Sequence, residues 1–284
     1  FKMKIHKSSS SLIEALLPFI TNRKTIGFVP TMGALHVGHI SLVEQANLEN
    51  DCVVVSIFVN PTQFDNPNDL LKYPRTIEND IAHLKRFSKN IFIFSPSALE
   101  LYNNNINSKS YNFSGIESEM EGKHRIGHFD GVGTVLNLFF RIIKPNKAYL
   151  GEKDFQQLRI VRKLVEIENL PIKVIGCPTI RETSGLAMSS RNKRLNNEQL
   201  KEAILIYKTL LKIKENFNLL SILKLNQLVE KEFKSHPSLT LEYFEIADTQ
   251  TLKTGIYKSK KKKYRAFIAS FIGGIRLIDN MALN

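Results

Sequence analysis

The stretch Val53–Val59 is apolar and largely β-branched, interrupted only by Ser56. A strand covered on both faces needs such a run, because neither side-chain direction meets water. A chain that carries one must cover both faces of a parallel sheet with helices. Its neighbours fit that demand. Ile26–Val29, Ile91–Phe94, Ala148–Leu150 and Ile172–Ile175 are short strand candidates. Between them the apolar residues switch to helical spacing. Ile40, Val43 and Ala46 share a face, as do Phe155, Leu158, Val161 and Leu164. Glu78–Phe87 has a helical pattern, and Gly131–Ile143 is apolar enough for a buried helix. This alternation predicts an open α/β sheet. The polar stretch Asn103–Ser114 reads as a loop or lid.

The pattern changes after Cys177-Pro178. Two helices are expected at Glu198–Glu215 and Ser221–Phe233, then strands at Leu241–Ala247, Tyr264–Phe271 and Gly274–Ile278. Gly273-Gly274 and a Lys-rich segment supply turns. Two domains are therefore predicted, at 1–178 and 179–284, the second a smaller α+β unit. A chain of 284 residues can support both.

The net charge of +13 would suit nucleotide phosphates, RNA or anionic lipid. The lysines are spread along the chain, however, which favours a generally basic surface. The dense run Lys258–Lys263 has no interleaved aromatics, so it predicts a solvated turn and not a nucleic-acid groove. Two cysteines, Cys52 and Cys177, make neither a zinc motif nor a disulfide framework, which points to a reducing, cytoplasmic compartment. No run approaches the ~20 apolar residues of a membrane span, and no signal peptide is visible. Phe1 and Lys2 precede Met3, the expected native start.

Chemistry concentrates in a few segments. Pro30–His39 reads Pro-Thr-Met-Gly-Ala-Leu-His-Val-Gly-His and joins a strand to a helix. That is the ligand position of an open α/β sheet, with glycines for close phosphate approach and a helix N-terminus for anions. His36 and His39 fall on one helix face and can donate to phosphate oxygens. Gly151-Glu152-Lys153-Asp154 follows the strand Ala148–Leu150, and Lys153 and Gln157 can face one cavity. Met188-Ser189-Ser190-Arg191 offers two hydroxyls and a guanidinium for a triphosphate. Asn60 and Gln63, beyond Val53–Val59, are neutral hydrogen-bonding groups suited to hydroxyls and a carboxylate. Glu78 and Asp80 could hold a hard cation, but acids are favoured at a helix start anyway.

In order, these segments resemble the pantothenate synthetase (pantoate–β-alanine ligase) family. The matching blocks are Pro30–His39, Phe58–Phe64, Tyr73–Thr76, Glu121–Gly131 with Arg125, Gly127, His128 and Phe129, Gly151–Leu158 and Arg181–Asn192. Arg265–Ser270 and Arg276–Asn280 complete them, so the resemblance spans nearly the whole chain. The H-x-G-H and M-S-S-R pair is also similar to the wider nucleotidylyltransferase and class I aminoacyl-tRNA synthetase group. Leu138, Arg141, Asn79 and Arg194 depart from the family pattern.

The resemblance implies a Rossmann-like parallel sheet with a second, smaller α+β domain, and a homodimer. It implies that ATP and pantoate form a pantoyl adenylate and pyrophosphate, with Mg²⁺ required, and that β-alanine then releases AMP. Met32, Gly33, Ala34, Leu35, His36, Val37, Gly38 and His39 would line the ATP site, with His39 as proton donor to the departing pyrophosphate. Gly151, Glu152, Lys153 and Asp154 would also contact ATP, Ile180 would meet adenine, and Met188, Ser189, Ser190 and Arg191 would close on the phosphates. Gln63 would contact pantoate and then β-alanine, and Gln157 would hold pantoate. The metal ligands stay unassigned, and neither nucleic acid nor membrane is an expected partner. Arg181–Arg194 is the expected mobile closing segment. A nucleotidylyltransferase with a phosphate acceptor would want a cationic second site, whereas Gln63 and Gln157 are neutral. An RNA-binding module would leave the catalytic-looking blocks without a role.

Overall fold

The computed structural model describes residues 5–87 and 90–284, so the expected start at Met3 lies outside them. Strands β1 (Ile5–His6), β2 (Ile26–Thr31), β3 (Cys52–Ile57), β4 (Ile91–Phe94), β5 (Lys147–Gly151) and β6 (Lys173–Cys177) form one parallel sheet in the order β1-β4-β3-β2-β5-β6. Register between β2 and β3 runs unbroken from Ile26 opposite Cys52 to Thr31 opposite Ile57.

Alternate residues serve opposite faces, as the two-residue period of a strand requires. Phe28, Val54, Ala148 and Leu150 pack on one face against helices α1 (Ser9–Thr21), α7 (His128–Ile143) and α8 (Phe155–Ile167). Val29, Val53, Val55 and Tyr149 pack on the other, against α2 (Val37–Glu49) and α4 (Ile77–Leu84). Val53, Val54 and Val55 are all fully buried, so the β-branched run is a central strand.

Apolar spacing gives no sign of β1 or α1. The helix begins in a serine run that resembles a loop, but Ser8 caps it and Leu12 and Leu16 anchor it with no exposed surface. Three short helices also escape the periodicity: α3 (Pro67–Lys72), α5 (Ala98–Leu101) and α6 (Met120–His124). Asn103–Ser114 is a loop strapped to α7 and not a lid. Lys109 N–H donates to Thr134 Oγ1 at 2.8 Å, and Tyr111 N–H donates to Asp130 Oδ1 at 2.9 Å.

Beyond β6, helices α9 (Asn197–Asn216) and α10 (Ile222–Lys234) cover one face of an antiparallel sheet, β7 (Leu239–Asp248), β8 (Tyr264–Ile272) and β9 (Ile275–Ala282). Strands β8 and β9 join through Gly273-Gly274, a two-residue hairpin turn. The Lys-rich segment lies in the β7–β8 connection, where Lys258 donates to the carbonyls of Phe217 and Leu220 beyond the end of α9. Phe267, Ala247 and Leu252 join the core under α7 and α8, so the two sheets share buried apolar surface.

Candidate active site

From β2 the chain proceeds to β3 and β4 on one side, then returns to β5 and β6 on the other. The C-terminal ends of β2 and β5 therefore flank a topological switch point, where an open α/β sheet leaves a crevice. Met32–His36 follows β2, and the 3-10 turn Glu152–Asp154 follows β5. Both loops border a cavity of about 490 Å³.

The two histidines make a reciprocal cap at the start of α2. His36 Nδ1 accepts from Gly38 N–H at 3.1 Å, and His39 Nδ1 accepts from His36 N–H at 3.3 Å. An imidazole that accepts through Nδ1 carries its proton on Nε2. Both rings thus keep an Nε2–H donor for a ligand. A Cβ on Gly38 would lie 2.9 Å from His36 Cε1, so this glycine makes room for the capping ring. Burial, reinforced by the Lys153 and Lys193 charges, lowers the His36 pKa to about 4. Burial and then the His36 ring and Lys153 push His39 well below the usual histidine range. Without a ligand both imidazoles are neutral at pH 7.

Asp80 holds the loop before them. Its carboxylate accepts from Ala34 N–H at 3.0 Å, Leu35 N–H at 2.7 Å and the Thr76 hydroxyl at 3.2 Å. Asp80 is 1% exposed, so its role is structural and the cation reading of Glu78 and Asp80 is not supported. Among the described residues no group of three or more His, Cys, Asp or Glu side chains is placed to hold a metal.

Opposite the histidines, Gln63 sits on a 3-10 turn after β3. Its Oε1 accepts from Asn60 Nδ2 at 3.0 Å, and its Nε2 faces Met32 Sδ at 3.2 Å. Asn60 is itself fixed by Tyr102 Oη at 2.6 Å and the Gly131 carbonyl at 3.2 Å. The Gln63 carbonyl accepts from His128 Nδ1 at 2.8 Å and from Arg125 at 3.4 Å. A Cβ on Gly131 would lie 2.3 Å from the Thr62 carbonyl oxygen, so only glycine lets α7 approach this turn. Phe58, Phe129, Val132, Val135, Leu136 and Phe139 add an apolar floor.

Of the residues singled out from sequence, Met32, His36, Gly38, His39, Gln63, Gly151, Lys153, Asp154, Gln157, Ile180, Met188, Ser189, Ser190 and Arg191 line this cavity. Gly33, Ala34, Leu35, Val37 and Glu152 lie off its wall. Ala34 and Leu35 turn their side chains into the core, and Val37 is exposed. Glu152 pairs with Arg265 at 3.0 Å. Segment Arg181–Arg194 is pinned at several points in this structure. Arg181 forms a forked pair with Asp279 at 2.6 and 3.0 Å, and Ser190 Oγ donates to the Ala34 carbonyl at 3.1 Å. Arg191 and Arg194 both pair with Asp69 of α3, at 2.7 and 3.0 Å.

Sequence reasoning gave no role to a second charged group on the wall. Arg276 binds both oxygens of Glu121 at 2.8 Å and also pairs with Glu242. Tyr243 Oη donates to Glu121 at 2.6 Å. Burial opposes ionisation of Glu121, but Arg276, Arg125 and Tyr243 hold its pKa down at about 2. Glu121 and Arg276 both fall in recognised blocks, yet no local spacing reveals a contact 155 residues apart.

A parallel sheet whose switch-point cavity carries two donor imidazoles at a helix start, with Lys153, Arg191 and Arg194 beside them, is the arrangement of a nucleotide-dependent enzyme. Similarity to known proteins narrows that class. A sequence profile for pantoate-beta-alanine ligase matches residues 4–282. The pantothenate synthetase of Christiangramia forsetii is 53% identical over 99% of this chain and 100% of its own length. That of Flavobacterium psychrophilum is 50% identical with the same coverage. The crystal structure of pantothenate synthetase from Thermus thermophilus superposes with a TM-score of 0.91 at 36% identity, covering 99% of both chains. That of the Francisella tularensis pantoate-beta-alanine ligase, complexed with beta-gamma ATP and beta-alanine, gives 0.82 at 38% identity, covering 99% of this chain and 98% of that one. This chain belongs to the pantoate–β-alanine ligase family.

Proposed function

We propose that the cavity binds ATP, pantoate and β-alanine and joins the last two as an amide, through a pantoyl adenylate. One observation carries the reading. The Nε2–H donors of His36 and His39 and the cations Lys153 and Arg191 border the same cavity as Gln63, Gln157 and an apolar floor. The first set suits a triphosphate, and the second suits the hydroxyls, carboxylate and two methyl groups of pantoate.

In the first step a pantoate carboxylate oxygen attacks the α-phosphorus, and the bond to the β-phosphate oxygen breaks. The carboxylate is already ionised at neutral pH, so it needs alignment and charge relief but no base. Lys153, Arg191 and the two imidazoles supply that relief. The triphosphate charge raises the histidine pKa values, so His39 can pass a proton to departing pyrophosphate. In the second step the β-alanine amine attacks the acyl carbon, and AMP leaves. The ammonium loses one proton before attack and a second as the amide forms, and solvent or the leaving AMP phosphate accepts them.

Among the described residues no three His, Cys, Asp or Glu side chains are grouped to hold a resident cation. We take Mg²⁺ as part of the substrate, entering on the triphosphate. We take 1–178 as the ATP- and pantoate-binding domain and 179–284 as the unit that closes on it, in a cytoplasmic homodimer. The buried free thiols of Cys52 and Cys177 fit a reducing compartment. Among the described residues no helix is long and apolar enough to cross a membrane. Sedimentation at micromolar concentration tests the dimer, and a monomer mass would remove it.

Pyrophosphate exchange into ATP tests the chemistry. It should require pantoate and should collapse in His39→Ala. Exchange that proceeds without pantoate would remove the substrate assignment.

A further inference from the structure

Asn280 lies on β9 and is 3% exposed. Its side chain nevertheless reaches the turn that follows β5. Nδ2 donates to the Glu152 carbonyl at 2.9 Å and to the Lys153 carbonyl at 2.7 Å. Oδ1 accepts from Arg265, whose other arm binds Glu152 Oε2 at 3.0 Å. The Arg265 guanidinium also stacks 4.1 Å over the Phe155 ring. Arg265 thereby fixes which way the amide faces, with both N–H bonds on the turn. Two neighbouring carbonyl oxygens aimed at one spot repel each other, and an amide with two N–H donors joins them. Aspartate could not do this, since it has no donor when ionised.

The clamped turn carries Lys153. That side chain enters the cavity and bears its charge on His36 and His39. We propose that Asn280 is a positioning residue for the ligase reaction, holding the Glu152–Lys153 backbone so that the Lys153 ammonium meets the triphosphate. The proposal rests on the reading of Lys153 as a triphosphate contact. It makes the second sheet a working part of the ATP site, 127 residues away in sequence. The alternative is that Asn280 merely joins the two sheets.

The test measures pyrophosphate exchange, ATP affinity by calorimetry and melting temperature. The variants are Lys153→Met, Asn280→Asp, Asn280→Ala and the Lys153→Met/Asn280→Ala double variant. Displacing a reacting-site group by about 1 Å costs on the order of 100-fold, so both Asn280 variants should lower kcat/KM for ATP by about 10- to 100-fold. The KM for pantoate should stay within about twofold, and in the Lys153→Met background Asn280→Ala should change ATP affinity by less than about twofold. Asn280→Ala removes both N–H donors without adding a charge and carries the test if Asn280→Asp does not fold. Multiplicative losses in the double variant, or equal losses in both substrate KM values, would overturn the proposal. So would an Asn280→Ala protein that does not fold, which would assign the residue to holding the sheets together. Wild-type ATP affinity and turnover in Lys153→Met would remove the reading of Lys153 and the proposal with it. A defective Lys153→Met with additive Asn280→Ala would remove the proposal alone.

Discussion

His36 and His39 each spend Nδ1 on backbone and keep Nε2–H for a ligand. The same cap that starts α2 thus sets the tautomer the site requires. Because burial lowers both pKa values, the free rings are neutral, and a bound triphosphate restores proton affinity. ATP binding near pH 6 should therefore take up protons. Calorimetry in buffers of different ionisation enthalpy measures this, and His39→Ala should reduce the uptake. His128 titrates for another reason. It is 5% exposed and binds the Gln63 carbonyl, and burial with the Arg125 charge lowers its pKa to about 4. Between that value and the unfolded value of 6.5 the unfolded chain holds the extra proton, so stability rises with pH across this window. The contribution is present above pH 6.5 and is lost as pH falls toward 4, an effect on the order of 3 kcal/mol. His128→Asn should reduce the rise of the urea midpoint across that window without abolishing it, because His36 and His39 are shifted in the same direction.

At the scale of elements, the Gln63 turn and α7 meet through Gly131. Gly131→Ala would force the helix off the Thr62 carbonyl and break the Asn60 contact to the Gly131 carbonyl. Overpacking of this kind costs about 1–3 kcal/mol. The KM for pantoate should rise more than the KM for ATP, because Gln63 moves and the β2–α2 loop does not. Steady-state kinetics at fixed saturating ATP separates the two. The loop is secured independently by Asp80, whose replacement in Asp80→Asn would set an amide donor against one of the two backbone N–H groups. A buried unsatisfied donor costs about 1–3 kcal/mol, seen as a lower melting temperature. Helical spacing reveals α2 and α8, and overall apolarity reveals α7, which is buried on most of its surface. Spacing misses α3 and α6, which are too short to show a period and are fixed by what they touch.

Across the whole molecule, Arg276 of β9 and Glu121 of α6 clasp the two sheets beside the cavity. Arg276→Met would leave Glu121 buried with Tyr243 and a distant Arg125 as its partners. Removing one member of a buried pair costs about 3–5 kcal/mol. Urea denaturation should show that loss, whereas a change below about 1 kcal/mol would place the pair among weak surface bridges. Segment Arg181–Arg194 also docks on β9. Its anchor Asp279 lies on the same strand as Arg276 and Asn280, so segment and sheet are tied together.

Apolar periodicity and turn chemistry act between neighbours in the chain. That is why the parallel sheet, the second α+β unit and the Pro30–His39, Gly151–Asp154 and Met188–Arg191 segments are legible in the sequence alone. Composition likewise speaks against a long apolar membrane helix and a disulfide framework. Neither could show that Asp80 holds the Ala34 and Leu35 amides, that Asp69 pairs with Arg191, or that Asn280 clamps the Lys153 turn. Those contacts join residues 45 to 127 positions apart. Only the tertiary packing of loops, helices and the two sheets brings their charges and donors within hydrogen-bonding reach.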